Sequence, residues 1–320
     1  MILVIGEALI DLIQVSDQYK PVVGGANANV AQALARRGEK QKFLGRISQD
    51  GFGKQIRSHL LANGVDLEWS IAAKEQTTLA VATIDSAGVA SYSFYINGTA
   101  DWGWTEAELP SHQMLREVDA SCVQFGCLTM AIGPGNLVVE KWLSSIHEVD
   151  QITLSHDLNI RSALGFERDA ELERALRVNR ISHLIKASDA DIEWLYDLPS
   201  GADLDEIAHA WASEGKLVVI TRGGDGASLY RNGKRIDVTA PKINLVDTVG
   251  AGDTFMANFL GELADLDGLG SKPLSRLERI SDAQLLDAAS FAAVAAGMVC
   301  ERQGCQPPTK KEVQALIALR

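Results

Sequence analysis

Positive charge is in short supply in this chain. Lys and Arg number 30 against 42 Asp and Glu in 320 residues, a formal net charge of −12. A nucleic acid or an anionic membrane surface needs a basic face, so neither belongs among the expected partners. An anionic ligand would have to be met by a few local cations. Cysteine is also scarce. Cys122, Cys127, Cys300 and Cys305 are too few for a disulfide framework, their spacing is not that of a zinc ribbon, and the six histidines do not cluster beside them. No apolar run approaches membrane-spanning length, and Met1-Ile2-Leu3-Val4-Ile5-Gly6 lacks the basic leader of a secretory signal, so the cytoplasm is the expected compartment. Internal repeats, low-complexity tracts and long linkers are missing too.

Two familiar phosphate-binding signatures are absent. There is no G-x-x-x-x-G-K-[ST] loop and no G-x-G-x-x-G after the first strand, which excludes a P-loop enzyme and a dinucleotide-binding dehydrogenase. The motif set of protein kinases is missing as well.

What is present is a regular alternation of short apolar runs and helical patterns. Ile2–Ile5 reads as a strand buried on both faces, and Asn27–Arg37, stopped by Gly38, as a helix. Strands are expected at 42–47, 122–125, 152–154, 181–186, 217–220 and 243–246. Helices are expected at 134–149, 254–263, 283–299 and 309–319. Repeated βα units imply a mostly parallel sheet with helices on both faces. Two segments break the alternation. Thr77–Asp85 and Val89–Tyr95, joined by Ser86-Ala87-Gly88, read as an antiparallel hairpin, and Ile13–Val23 is a second non-helical segment able to pair with it. The expected architecture is one α/β domain over residues 1–320, with a small β lid inserted at about 13–23 and 77–101. Asn232-Gly233 is a further hairpin turn between 227–230 and 234–238.

Polar residues gather just after the expected strands, where open α/β sheets place ligands. Glu7 and Asp11 follow the first strand, Asp157, Asn159 and Arg161 a later one, and Lys186 to Asp191 and Thr221 to Gly226 others. The paired glycines Gly24-Gly25 precede a small, polar first helical turn in which Asn27 and Asn29 offer donors and acceptors suited to hydroxyls; N-capping competes for Asn27. The most informative stretch is Asp247-Thr248-Val249-Gly250-Ala251-Gly252-Asp253-Thr254-Phe255. A glycine turn opening a helix presents unpartnered N–H groups and the positive end of the helix dipole, a site for phosphate oxygens. Asp253 there is either a general base or an acidic residue that stabilises its helix by roughly 0.3–1 kcal/mol.

With these residues in view, the chain resembles the PfkB, or ribokinase-like, family of carbohydrate kinases over nearly its full length. Gly24-Gly25-Ala26, Ala28-Asn29-Val30-Ala31, Leu34-Ala35, Gly38, Gly45, Asp50 and Gly53 match the family's N-terminal signature, and Asp247–Phe255 its C-terminal one. Gly6-Glu7 with Asp11, Ala100-Asp101, Asp157-Leu158-Asn159-Ile160-Arg161 and Lys186 with Ser188-Asp189 are most like the fructokinase branch. The resemblance implies a ribokinase-like α/β fold and ATP-dependent phosphorylation of a sugar's primary hydroxyl, with fructose the first choice. It implies Asp253 as base, Gly250, Ala251 and Gly252 as the anion hole, and Asp11, Gly25, Asn29 and Arg161 at the sugar. Lys186, Ser188, Thr221, Gly223 and Gly226 would line the ATP site, with Mg²⁺ accompanying the nucleotide and K⁺ beside Asp247. A homodimer through the lid is part of the same expectation. Three departures stand out. Ser188-Asp189-Ala190-Asp191 replaces the usual N-x-x-E motif, leaving Asp191 to hold water around Mg²⁺. Ile96 stands where many fructokinases carry an arginine. Arg161 has two readings, a substrate or phosphate contact and a structural pair with Asp157. Other acceptors (2-keto-3-deoxygluconate, ribose, a nucleoside) and a non-catalytic sugar or nucleotide sensor are the alternatives.

Overall fold

The computed structural model describes residues 1–15, 17–84 and 90–319. Its main sheet has eight strands in the order β14-β13-β12-β11-β10-β9-β1-β4. These are β1 (Ile2–Ile5), β4 (Gln41–Leu44), β9 (Cys122–Gly126), β10 (Thr153–Asp157), β11 (Leu184–Ser188), β12 (Leu217–Thr221), β13 (Ala227–Arg231) and β14 (Lys234–Val238). From β4 to β12 every pairing is parallel, so these strands end on one common edge. β13 runs antiparallel to β12 through the turn at Arg222–Gly226, and β14 antiparallel to β13 through Asn232 and Gly233, which both take positive φ (51° and 74°), the geometry that matches a two-residue turn to strand twist.

Alternating side chains of these continuous apolar strands feed three core clusters, one of them formed by Ile185, Ala187, Val218 and Ile220 with Ile192, Leu195 and Trp211. Ile2, Val4, Leu184 and Val219 pack against the helices Ala26–Arg37, Ala251–Asp265 and Asp282–Cys300. Leu3, Ile5, Val123, Phe125 and Leu154 face the helices Gly135–Val149 and Arg168–Ile181. The Asp282–Cys300 helix is long and apolar enough to cross a membrane by length and composition, contrary to the expectation from apolar runs. Within this fold Leu285, Ala288 and Ala292 pack in the same core cluster as Phe259 and Leu263 of the Ala251–Asp265 helix.

A second sheet of four strands stands over the common edge, in the order β3-β2-β7-β8: β2 (Leu9–Val15), β3 (Gln18–Gly24), β7 (Leu79–Ile84) and β8 (Ala90–Tyr95). The hairpin is antiparallel, and its partner is β2 in parallel through Ile10–Ile13, so the pairing segment begins earlier than the expected 13–23 and the remainder of that range, from Gln18, is β3 on the far side of β2. The turn expected at Ser86-Ala87-Gly88 lies outside the described residues. Register places Val22, Asp11, Ala80 and Phe94 in one row across this sheet.

Two expected strands differ. The run 42–47 breaks at Gly45, where the Phe43 ring occupies the space a Cβ would need, 2.3 Å from that position. Its second half becomes β5 (Arg46–Ser48), paired in parallel with β6 (Ile71–Ala73) in a separate two-stranded sheet. The run 243–246 is no buried strand. Leu245 is 64% and Val246 62% exposed. The segment crosses the end of the Asp282–Cys300 helix, with the Val246 and Asp247 amides both donating to the Cys300 carbonyl (2.8 and 3.1 Å). Two shorter shifts have separate causes: Ile181 closes the preceding helix, so one strand runs 184–188, and Asp157 still pairs in the sheet, so the other runs 153–157.

Candidate active site

Between the second sheet and the ends of the parallel strands lies a cavity of about 1200 Å³. Asp11, Gly25, Asn29, Arg161, Lys186 and the run Asp247–Asp253 all line it. Side chains separated by most of the chain therefore meet in one cleft.

The first wall is the entry to the Ala26–Arg37 helix. Gly25 has φ +106°, and a Cβ on it would approach the Glu7 carbonyl oxygen to 2.5 Å, so the backbone passes where no side chain fits. Asn27 does not cap this helix; the cap position is Gly25. Asn27 instead donates to Glu7 Oε2 (3.0 Å) and to the Gly126 carbonyl (3.2 Å), filling the space left by Gly6. Glu7 is buried and also accepts from the Ala26 amide (3.0 Å) and the Thr129 hydroxyl (2.8 Å). Glu7 is thus neither a solvated loop acid nor a free ligand group. It anchors the helix start to the strand ends.

The opposite wall is the loop Asp247–Gly250 and the start of the helix that follows it. Gly250 takes the left-handed conformation (φ +76°) at the cap of the Ala251–Asp265 helix. Ala251 donates to Thr248 (3.2 Å) and Thr254 to Gly250 (2.8 Å), whereas the amides of Gly252 and Asp253 have no backbone acceptor among the described residues. Free amides at a helix N-terminus attract anions. Lys186 Nζ lies beneath them, 3.5 Å from where a Gly252 Cβ would be, and is held by both Asp157 oxygens (2.9 and 2.8 Å). Asp157 is paired with Lys186, and the Arg161 guanidinium has no side-chain hydrogen bond or ion pair among the described residues; only the Arg161 carbonyl is engaged, by the Leu164 amide (3.0 Å). Arg161 is left as a cation for the cleft.

Asp253 is 7% exposed, and its Oδ2 accepts from Asn29 Nδ2 at 2.8 Å. Burial lifts its carboxyl to about 7, against the pull of the Asn29 hydrogen bond; the Asp157 charge adds to the rise, and Arg161 and Lys186 oppose it. A carboxylate that titrates near neutrality suits proton abstraction. Asp11 faces it from the lid, with its carboxylate against Gly24. Burial raises Asp11 to about 6, opposed by Arg161. Asp247 is engaged by two amides, Val249 at Oδ1 (3.0 Å) and Gly304 at Oδ2 (2.8 Å).

Of the residues expected at the nucleotide, Lys186 alone lines this cavity. Thr221 ends β12, and Gly223 and Gly226 (φ +46° and +92°) form the turn into β13. A Cβ on Gly226 would meet the Val238 carbonyl oxygen at 1.9 Å. Ser188 caps the Asp189–Leu195 helix in a reciprocal pair with Asp191. Asp191 accepts from the amides of Ile160 and Ser188, both at 2.8 Å, and so braces the turn that carries Arg161.

Sequence reasoning missed several residues. Ala80, Ala82 and Phe94 line the cavity from the lid; their alternation along a short strand was the available signal. Cys127 lines it too, at φ +52°, with nothing in the sequence to mark it. Gln303, Gly304 and Gln306 bring in the C-terminal loop. Asp101 is buried, accepts from the Ala8 amide and the Thr78 hydroxyl, and ties the lid strands to the body. Ile96 packs with Trp102 and Leu128 and presents no polar group.

The chain matches the pfkB family carbohydrate kinase over residues 1–312. A fructokinase from Rhizobium leguminosarum bv. trifolii is 34% identical over 278 residues, which cover 85% of this chain and 82% of that protein. Among solved structures, Xylella fastidiosa fructokinase with bound ATP superposes with a TM-score of 0.87 at 24% identity, over 99% of this chain and 98% of that one. Vibrio cholerae O395 fructokinase, in its fructose-, ADP- and calcium-bound form, does so at 0.79 and 23%, over 98% and 97%. Those likenesses establish the ribokinase-like α/β fold. Taken with the match along the sequence, they make this a phosphotransferase acting on a sugar hydroxyl, and the chain belongs to the pfkB family of carbohydrate kinases.

Proposed function

We propose that the protein transfers the γ-phosphoryl group of ATP to a primary hydroxyl of a ketohexose, fructose first, with Asp253 as general base. One observation carries the reading. Asp253, titrating near 7, sits on the helix turn whose amides are free for an anion, and its carboxylate is aimed by Asn29. The acceptor hydroxyl would give its proton to Asp253 as its oxygen attacks phosphorus. Gly252 and Asp253 N–H groups, Lys186 and Arg161 would hold the oxygens that carry the developing charge. Asp11 and Asn29 would orient the sugar, since a carboxylate and an amide together accept from and donate to hydroxyls. The lid would exclude water so that hydrolysis does not compete.

Among the described residues no group of three or more His, Cys, Asp or Glu is placed to hold a metal. That fits Mg²⁺ arriving on the phosphates of ATP, where it neutralises charge, better than a protein cage. We assign Asp191 to the brace rather than to water around that ion, because it does not line the cavity and its oxygens hold the Ile160 and Ser188 amides. Asp247 is the group we assign to a K⁺ site at the loop Asp247–Gly304. ATP as donor and four free thiols fit a reducing, cytoplasmic compartment. Tyr19 and Tyr95, 48% and 61% exposed on the outer lid strands, are where a second copy would pack.

ADP release over fructose, ribose, 2-keto-3-deoxygluconate, fructose 6-phosphate and adenosine tests the acceptor. The highest kcat/KM is expected on fructose. Ile96, apolar where many fructokinases have an arginine, is the specific reason to carry the other sugars. Preference for one of them would move the acceptor and keep the chemistry, and turnover on none would refute the reading.

A further inference from the structure

The Ala26–Arg37 helix carries three polar side chains on one face, Asn29, Gln32 and Arg36, at i, i+3 and i+7. Asn29 holds Asp253. Gln32 Nε2 donates to the Cys305 carbonyl (3.2 Å), and Arg36 Nε to the Pro307 carbonyl (3.3 Å). The segment they hold is an irregular loop with no strand or helix of its own. It reaches the anion hole at two points. The Gly304 amide donates to Asp247 Oδ2 at 2.8 Å. Cys305 Sγ lies only 2.3 Å from where a Cβ on Gly250 would be, so the Gly250 backbone rests directly on this side chain.

Gln32 is 4% exposed, and both ends of its amide are used. Its Oε1 meets His59 Nε2 at 2.8 Å, and His59 lines the same cavity from the Gly51–Ala62 helix. A continuous chain of contacts therefore runs from the cavity wall through His59 and Gln32 to Cys305 and Gly250. Gly250 is the left-handed cap whose orientation directs the Gly252 and Asp253 amides.

We infer that Gln32 is a positioning residue for phosphoryl transfer: it fixes Cys305 under Gly250 and thereby aims the amides that receive the transferring group. This rests on the reading of Gly250–Asp253 as the phosphoryl site. Gln32 does not line the cavity, so its effect passes through the loop. Displacements of about 1 Å far from the reacting atoms are enough to cost on the order of 10²-fold in rate.

The test is Gln32→Met, which keeps side-chain length and removes both polar ends. In folded protein, checked by circular dichroism, ADP affinity and the sugar KM should stay within about twofold while kcat falls roughly tenfold or more. Aluminium fluoride, added with ADP and the sugar, occupies the place of the transferring phosphoryl group. The tightening of ADP binding it produces in the wild type should shrink by a similar factor, which a merely structural role would not cause. If Gln32→Met does not fold, Gln32→Glu keeps an acceptor for His59 and replaces the donor to Cys305 by a carboxylate oxygen that repels its carbonyl, and the same selective loss is expected. Wild-type kcat and wild-type tightening in the folded variant would overturn the positioning role and leave the phosphoryl site standing. No tightening by aluminium fluoride in the wild-type protein would remove both.

Discussion

Replacing Asn29 with Ala changes the proton affinity of Asp253 in a direction the structure specifies. Burial lifts the Asp253 carboxyl to about 7, and the Asn29 hydrogen bond is the largest influence holding it down. A hydrogen bond to a charged group contributes about 1.5–3 kcal/mol. At about 1.4 kcal/mol per pH unit, its loss moves Asp253 up by about 1–2 units. A base must be ionised to act, so the acid limb of kcat/KM, near pH 7 in the wild type, should move to about pH 8–9. At pH 7 the ionised fraction then falls from about one half to about 1–10%, a loss of roughly 5- to 50-fold that recovers as pH rises. Asn29→Ala also removes a group proposed to bind the sugar, but that loss is the same at every pH. The assay is coupled ADP release from pH 5.5 to 9.5 at saturating ATP. An acid limb that stays in place, or moves downward, would refute the assignment of Asp253 as a base held by Asn29.

Lys186→Met strips the buried Asp157 of its cation. Breaking a buried pair from one side costs about 3–5 kcal/mol, measurable by urea denaturation at pH 8. Asp157 is already raised by burial, and without Lys186 it rises further, so stability lost at high pH should return as pH falls and the carboxyl takes a proton. A deficit that does not shrink toward acid pH would contradict the pairing. Gly226→Ala places a Cβ 1.9 Å from the Val238 carbonyl at φ +92°. Strain of this kind costs about 1–3 kcal/mol, and the KM for ATP should rise while the sugar KM holds. An unchanged KM for ATP would separate that turn from the nucleotide.

The parallel sheet was legible in the sequence because its strands, buried on both faces, read as short apolar runs bounded by turns. The same signal misled at 243–246, where hydropathy reports a wish for burial but not whether a strand partner is free. Gly45 hid a break for a related reason: the cause is the Phe43 ring folding into its empty side, a contact no pattern displays. Asn29 and Asp253 stood out individually, as a polar group in a small-residue turn and an acid after a glycine loop. Their contact spans 224 residues of sequence, and only the fold brings it about. Glu7 stood out by its place after the first strand, but its part as an anchor follows from three donors that only the fold brings to it. The loop at Gln303–Gln306 carries no periodicity, and its part in the site follows from side chains on a helix near the other end of the chain.

The most direct test of the central claim compares Asp253→Asn with the wild type. The side chain keeps its shape and loses its charge, so ATP affinity by calorimetry should be close to unchanged. Sugar-dependent ADP release should fall by about 10²–10⁴, the usual contribution of a general base. Near-normal turnover by Asp253→Asn on the preferred sugar would contradict the account at its centre.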